Sequence, residues 1–286
     1  MSDRPRRQAI ASRPKVNSIL PPTLKRLGQH FLHDDDTLDA IVAALGPLAA
    51  RTVVEIGPGR GVLTDRLAAV AMRVVGIELD KLLAAHLRVR YADMPHVTIV
   101  EADVLETSLP DLGGDDYVLV GNVPYYITTP ILFQALQRPR PAIAVYLVQR
   151  EVAERMAAPP GSKTYGALSV NVQAVANVEL VRHVPPSAFH PPPSVDSAVV
   201  RITPREVPAV SEENEAAYRA FVQHAFSFRR KQLGRVLRNV LGISAQQSVE
   251  ILAASSIAAD LRPEVLSPED FARLVATIKL HKLRLV

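Results

Sequence analysis

Asn122, Pro124 and Tyr125 are the residues of this chain whose types and spacing suit a demanding reaction. They close the run Val118-Leu119-Val120-Gly121-Asn122-Val123-Pro124-Tyr125, which reads as a short apolar strand that ends abruptly. A conjugated exocyclic amine such as adenine N6 is a weak nucleophile, because its lone pair is delocalised into the ring. The side-chain amide oxygen of Asn122 and a nearby backbone carbonyl can accept its N–H bonds and favour a more tetrahedral nitrogen. The ring of Tyr125 can stack on the base and hold it in line, which is catalysis by orientation. Pro suits position 124 because the strand ends there and needs no further ladder N–H. Alone, Asn-x-Pro-Tyr reads more simply as a strand and an ordinary turn, so the surrounding elements must decide.

Those elements lie upstream. Thr52-Val53-Val54-Glu55-Ile56 is a β-branched strand signal, followed by Gly57-Pro58-Gly59-Arg60-Gly61 and a helical pattern from Val62 to Val70. A glycine-rich turn between strand and helix lets the backbone approach a ligand closely and aims a helix N-terminus at it. The next strand, Arg73-Val74-Val75-Gly76-Ile77, ends in Glu78, about 20 residues past the first glycine, where an acid meets ribose hydroxyls. Val97-Thr98-Ile99-Val100 then leads to Asp103. Taken singly, Glu78 and Asp103 also fit solvated strand-end acids. In an open α/β sheet, however, ligands bind outside the carboxyl ends of the strands, so Gly57, Glu78, Asp103 and Asn122 should converge. The glycine spacing separates cofactors. Nicotinamide and flavin sites use G-x-G-x-x-G, whereas here Gly61 comes one residue early and Val62 fills the slot. That turn suits a nucleoside sulfonium such as S-adenosylmethionine, which has no pyrophosphate to cradle.

With these residues placed, the chain resembles the ribosomal RNA adenine dimethyltransferases of the KsgA/RsmA type, in the wider family that includes the Erm resistance methylases and the mitochondrial transcription factor B proteins. The resemblance runs from about Leu27 to the C-terminus. It is carried by Leu27-Gly28-Gln29-His30-Phe31-Leu32, Glu55-Ile56-Gly57-Pro58-Gly59-Arg60-Gly61, Ile77-Glu78-Leu79-Asp80, Ala102-Asp103-Val104-Leu105 and Gly121-Asn122-Val123-Pro124-Tyr125. Further matches are Phe189-His190-Pro191-Pro192-Pro193-Ser194-Val195-Asp196-Ser197 and Phe228-Arg229-Arg230-Lys231-Gln232-Leu233. The resemblance implies an α/β fold, a Rossmann-like sheet of the class I S-adenosylmethionine-dependent methyltransferase type with a small C-terminal helical domain. It implies a cofactor pocket made by His30, Leu32, Gly57, Gly59, Glu78, Asp103 and Asn122. Glu78 would bind the ribose, Asp103 the cofactor's adenine amine, and Tyr125 and Phe189 would sandwich the flipped target base. Phe189 beside a Pro run also fits a hydrophobic plug. The chain departs from the family pattern at His30, where Asn is common, and at Val123 and Tyr126, where Leu and a second Asn are common.

Composition sets the frame. With 286 residues the chain can bury a sizeable core, and its length suggests one large domain and a smaller one. The absence of Cys excludes disulfides and thiolate metal sites and fits a reducing, cytoplasmic setting. No apolar run is long enough to span a bilayer. No metal constellation is visible, since the eight His residues are scattered. The expected division is a basic, Pro-containing arm over 1–24, a cofactor-binding methyltransferase domain over 25–205 and a helical RNA-docking domain over 206–286. The arm fits either phosphate contact or a solubilising tail.

Net charge is only +4, so the distribution of charge says more than its total. Phe226 to Asn239 carries Arg229, Arg230, Lys231, Arg235 and Arg238 and no acid, with apolar residues at helical spacing. It predicts one amphipathic helix whose basic face binds RNA phosphates. Pro159 to Gly166 reads as a loop, either a lid or an inert connection.

The expected chemistry is direct, metal-free methyl transfer by a monomer. By resemblance, the target is a pair of adjacent adenosines in the 3′-terminal hairpin of small-subunit rRNA, within the immature 30S particle, each dimethylated at N6. An Erm-type enzyme acting on large-subunit rRNA shares the same pocket, and an assembly factor that chiefly binds immature subunits is the alternative from another class. A nicotinamide oxidoreductase is disfavoured by the glycine spacing.

Overall fold

The computed structural model describes residues 29–124, 127–281 and 283. The N-terminal arm, Leu27, Gly28, Tyr125, Tyr126, Lys282 and Arg284 lie outside the described residues. In chain order, β1 (Phe31–Leu32) and α1 (Asp35–Ala44) lead into β2 (Thr52–Ile56), α2 (Val62–Val70), β3 (Arg73–Glu78), α3 (Lys81–Arg90) and β4 (Val97–Glu101). There follow α4 (Leu109–Gly113), β5 (Val118–Asn122), α5 (Thr128–Ala135), β6 (Ile143–Gln149), α6 (Arg150–Ala157) and α7 (Ala167–Gln173). Three strands, β7 (Ala176–Val184), β8 (Phe189–His190) and β9 (Ser197–Pro204), precede the helices α8 (Glu215–Ser227), α9 (Leu233–Leu241), α10 (Ala245–Ala254) and α11 (Pro268–Leu280).

Seven strands form one sheet in the order β4-β3-β2-β5-β6-β9-β7. The first five are mutually parallel, and β9 runs antiparallel to both β6 and β7. The chain steps outward from β2 to β4 and then returns to place β5 on the other side of β2. That reversal is the topological switch point, where an open α/β sheet forms its ligand crevice. Gly57 follows β2 and Asn122 ends β5, so the two flank it. Close approach there needs a glycine: a Cβ on Gly121 would sit 3.0 Å from Ile56 Cβ and 3.1 Å from its carbonyl oxygen.

The central strands are covered on both faces, as parallel strands require. Val53, Val118 and Val120 face a layer built by α1, α2 and α3, with Leu38, Ile41, Leu67 and Leu87 buried among them. Val54, Leu119 and Tyr146 face the other layer, which contains Ile131, Leu132 and Val170. Each fully buried aliphatic side chain of this kind contributes roughly 1.5–3 kcal/mol relative to exposure. Tyr218, Phe221, Leu233, Val236, Phe271 and Leu274 of the C-terminal helices belong to that second layer, so the core runs unbroken from the sheet into them. Tyr165 Oη donates to the Leu266 carbonyl (2.8 Å) and Tyr218 Oη to that of Pro268 (3.1 Å), which satisfies both buried hydroxyls across this junction.

The single basic helix expected from Phe226 to Asn239 is not formed. Helix α8 stops at Ser227 and α9 starts at Leu233, with turns through Phe228–Gln232. Phe226 and Phe228 both pack on the core, and Leu233 is fully buried. No single helical phase turns all three inward, so the chain breaks; the 3.6-residue pattern begins only at Leu233. Gly242, in the left-handed region at φ 65°, closes α9. The loop from Pro159 to Gly166 is pinned, with Gly161 N–H donating to the Glu264 carbonyl at 2.7 Å. No described helix is long and apolar enough to cross a membrane.

Candidate active site

A cleft opens at the carboxyl ends of the parallel strands. It is lined by Gly57 and Gly59 after β2, Glu78 at the end of β3, Asp103 beyond β4, Asn122 at the end of β5, Pro124 just after it, and His30. The strand ends singled out from the sequence therefore do converge. Ile56, Ile77, Leu83, Val104, Val123 and Ile127 make the rest of the wall apolar, as a flat heterocycle requires.

Glu78 is 5% exposed, and its carboxylate is held from both sides: Oε2 accepts Gly59 N–H and Oε1 accepts Asp80 N–H, each at 2.9 Å. Burial pushes its pKa above the ordinary value, and these backbone donors oppose that shift. A vicinal diol offers further donors of the kind that suit a carboxylate so deeply buried. Asp103 accepts Leu105 N–H through Oδ1 (2.9 Å), leaving its other oxygen to accept an exocyclic amine at the cleft wall. Gly59 serves by size, since a Cβ there would lie 3.1 Å from the Phe31 ring. Asn122 donates through Nδ2 to the His30 carbonyl at 2.8 Å. Because that carbonyl can only accept, the amide orientation is settled, with Nδ2 on His30 and Oδ1 on the other side.

Several of the expected residues stand elsewhere or are already engaged. Phe31 lines this cleft, whereas Leu32, its side chain buried in the core, lines the adjoining hollow that shares Phe31, Gly57, Gly59 and Asn122 with it. Phe189 pairs with Leu32 and is only 3% exposed within that same core, so its ring offers no open face for a base, and the plug reading describes it. The Pro124 carbonyl already accepts Ile127 N–H (3.1 Å) and Thr128 Oγ1 (3.2 Å), in the first turn of α5. Tyr125 lies outside the described residues. Of the basic run, Arg229 is spent internally, on Glu264 (2.8 Å) and on the Lys163 carbonyl (2.8 Å). Arg230, Lys231 and Arg235 are exposed and pair with no acid among the described residues.

Sequence reasoning passed over two features. Gln29 donates to Asp80 Oδ2 at 3.0 Å and so ties the entering chain to the end of β3. Glu55, inside the central strand β2, is 2% exposed, and its Oε2 accepts Thr64 Oγ1 at 2.7 Å. Burial lifts its pKa to about 8, against the opposing hydroxyl bond and with help from the charges of Glu78 and Asp65. An acid within a β-branched run, just before a glycine turn, was the available signal. Among the described residues no group of three or more His, Asp or Glu stands together as a metal site would.

The chain is similar to known proteins over most of its length. The family described as Ribosomal RNA adenine dimethylase matches residues 23–279. A protein of Gloeobacter violaceus named ribosomal RNA small subunit methyltransferase A is 43% identical over 257 residues, 88% of this chain and 92% of that one. One of the same name from Geobacter metallireducens is 42% identical over 87% of this chain and 93% of its own. Among solved structures, a dimethyladenosine transferase from Plasmodium falciparum superposes with a TM-score of 0.79 at 27% identity, over 89% of this chain and 99% of that one. The 23S rRNA methyltransferase ErmE gives 0.69, also at 27% identity, over 87% and 99%. With its strand-end residues gathered at the switch point of such a sheet, this chain belongs to the ribosomal RNA adenine dimethylase family.

Proposed function

We propose that the protein uses S-adenosylmethionine to dimethylate, at N6, two adjacent adenosines in the 3′-terminal hairpin of small-subunit rRNA. It acts as a cytoplasmic monomer on the immature 30S particle, with residues 206–286 docking the RNA. The observation that carries this reading is the amide of Asn122, at the end of β5, with Nδ2 held by the His30 carbonyl. The small-subunit names of relatives at 42–43% identity favour that target over the large-subunit one of the more distant ErmE.

The residues present fit the cofactor. Glu78 holds the ribose diol, Asp103 the adenine amine, and Ile77, Leu79 and Val104 the ring faces, while Gly57, at φ 65°, keeps the floor bare of a side chain. When bound, S-adenosylmethionine supplies an activated methyl on its sulfonium. Asn122 Oδ1 accepts one N–H of the target amine, a nearby backbone carbonyl of the same turn accepts the other, and the nitrogen lone pair is thereby freed from the ring. The target base must leave its stack to reach this point. No dedicated base is required, because the nitrogen becomes cationic and acidic once it has been alkylated and then sheds its proton to solvent.

The test is Asn122→Ala, assayed by methyl incorporation into unmethylated small subunits and by cofactor binding. Turnover should vanish while cofactor affinity falls much less. Near-wild-type methylation would remove Asn122 from the reaction, and N6,N6-dimethyladenosine appearing in large-subunit RNA instead would move the protein to the Erm type.

A further inference from the structure

We propose that Gln134 is a positioning residue for cofactor recognition, whose side-chain amide ties the turn carrying Asp103 to the helix that follows Asn122. The inference rests on the reading of Asp103 as acceptor for the cofactor's adenine amine.

Beyond β4 the chain makes a single tight turn, Val104–Glu106, whose shape is fixed from within. Asp103 Oδ1 accepts Leu105 N–H at 2.9 Å, and the Asp103 carbonyl accepts Glu106 N–H at 3.1 Å and Thr107 Oγ1 at 2.7 Å. The Val104 carbonyl accepts Thr107 N–H at 3.2 Å. These bonds set the form of the turn, not its place against the rest of the cleft. Toward β3, Ala102 N–H reaches the Glu78 carbonyl at 3.2 Å. Toward α5, Gln134 Nε2 donates to the Val104 carbonyl at 2.7 Å and to the Thr107 carbonyl at 2.8 Å. Val104 also packs in the core, but apolar contact has no direction, whereas two convergent donors do. Both acceptors are carbonyls, so the orientation of the amide is settled. Its Oε1 is buried and makes no hydrogen bond among the described residues. The side chain is thus placed for its donors, at the cost of an unsatisfied acceptor. The Val104 carbonyl and the Leu105 N–H are the two ends of one peptide group. Gln134 therefore holds the oxygen of the very peptide whose N–H points at Asp103 Oδ1, and a donor on that oxygen strengthens the N–H bond beyond it. At its other end α5 is joined to the segment after Asn122, because Ile127 N–H and Thr128 Oγ1 both donate to the Pro124 carbonyl. A cofactor reaching from Asp103 to Asn122 spans the two elements that Gln134 joins.

Packing would be served by any side chain of this length, so the test removes the donors and keeps the bulk. Two ligands are titrated calorimetrically into the full chain: S-adenosylhomocysteine, the demethylated cofactor, and its analogue with hydrogen in place of the exocyclic amine. The wild type should prefer the amine-bearing ligand about 10-fold or more, as one hydrogen bond to a charged acceptor gives. Gln134→Met should cut that preference about threefold or more while leaving affinity for the analogue within about twofold. Gln134→Lys, which still donates to both carbonyls, should keep most of the preference. In an Asp103→Ala background, Gln134→Met should change the preference no further. The proposal is overturned if Gln134→Met keeps the wild-type preference, if it weakens both ligands equally, or if Gln134→Lys falls to the level of Gln134→Met. Should Gln134→Met fail to fold, Gln134→Leu, which also lacks a donor, takes its place. Asp103→Ala alone separates the two readings. A preference that survives it would sink the role of Asp103 itself, whereas its loss there beside unaffected Gln134 variants would sink only the positioning role.

Discussion

Glu55 makes the stability of this enzyme fall as pH rises, and Glu55→Gln should abolish that part of the dependence. The carboxyl is fully buried in the central strand, with Thr64 Oγ1 at 2.7 Å, and its pKa stands at about 8 against an ordinary 4.5. Between those values the folded chain holds a proton that the unfolded chain has released. The stabilisation is complete below about pH 4.5 and is lost as pH climbs toward 8. Each pH unit in the window costs about 1.4 kcal/mol, so the full span amounts to roughly 4–5 kcal/mol, and pH 5.5 to 8 to about 3. Gln keeps the volume and an oxygen for Thr64, and its amide adds a constant offset that does not alter the slope. Urea unfolding of both proteins at half-unit steps from pH 5.5 to 8.5 gives the difference directly. The Gln variant should gain on the wild type by about 1.4 kcal/mol per unit and then level off above pH 8. Parallel curves would refute the reasoning, since Glu55 would then titrate as an exposed acid does.

Two further outcomes follow from packing and charge. Gly61 stands at φ +80°, and a Cβ there would meet Tyr91 Oη at 2.5 Å and Leu87 Cδ2 at 2.9 Å, so Gly61→Ala should cost about 2–4 kcal/mol in denaturant unfolding. An unchanged midpoint would mean that the turn relaxes freely. Replacing Arg230, Lys231 and Arg235 together by Ala should flatten the plot of log affinity for small-subunit RNA against log salt by about 2–3. Arg229→Ala should leave that slope alone and instead loosen the Lys163 loop to amide exchange, because its guanidinium is engaged by Glu264 and the Lys163 carbonyl. An unchanged slope in the triple variant would make that surface merely solvated.

The sheet and most of the cleft were legible because their signals are local. A Rossmann-like crevice draws its ligand-facing groups from the residue or two after each strand, and a β-branched run followed by Gly, Glu, Asp or Asn announces both the strand and the group it delivers. Val62–Val70 formed as the helix its spacing predicts, and Gly57, Glu78, Asp103 and Asn122 meet in one cleft. Phe31 and Leu32 were not separable in that way. A strand of two residues shows no alternation, so which side chain faces the cleft depends on the pairing with β8, far along the chain. The same pairing directs Phe189 inward, the plug that an aromatic beside a Pro run also suggested. The basic run misled for a related reason. Counting charges treats every Arg as solvent-facing, whereas the break between α8 and α9 turns Arg229 back onto Glu264.

His30 shows where a residue-by-residue comparison loses chemistry that an atom-by-atom one keeps. Set beside the Asn common at this position in the family it resembles, His looks like a change of both size and charge. Yet the bond it makes uses Nδ1, which is attached to Cγ as the Asn amide nitrogen is, so the donor to Pro191 survives the exchange.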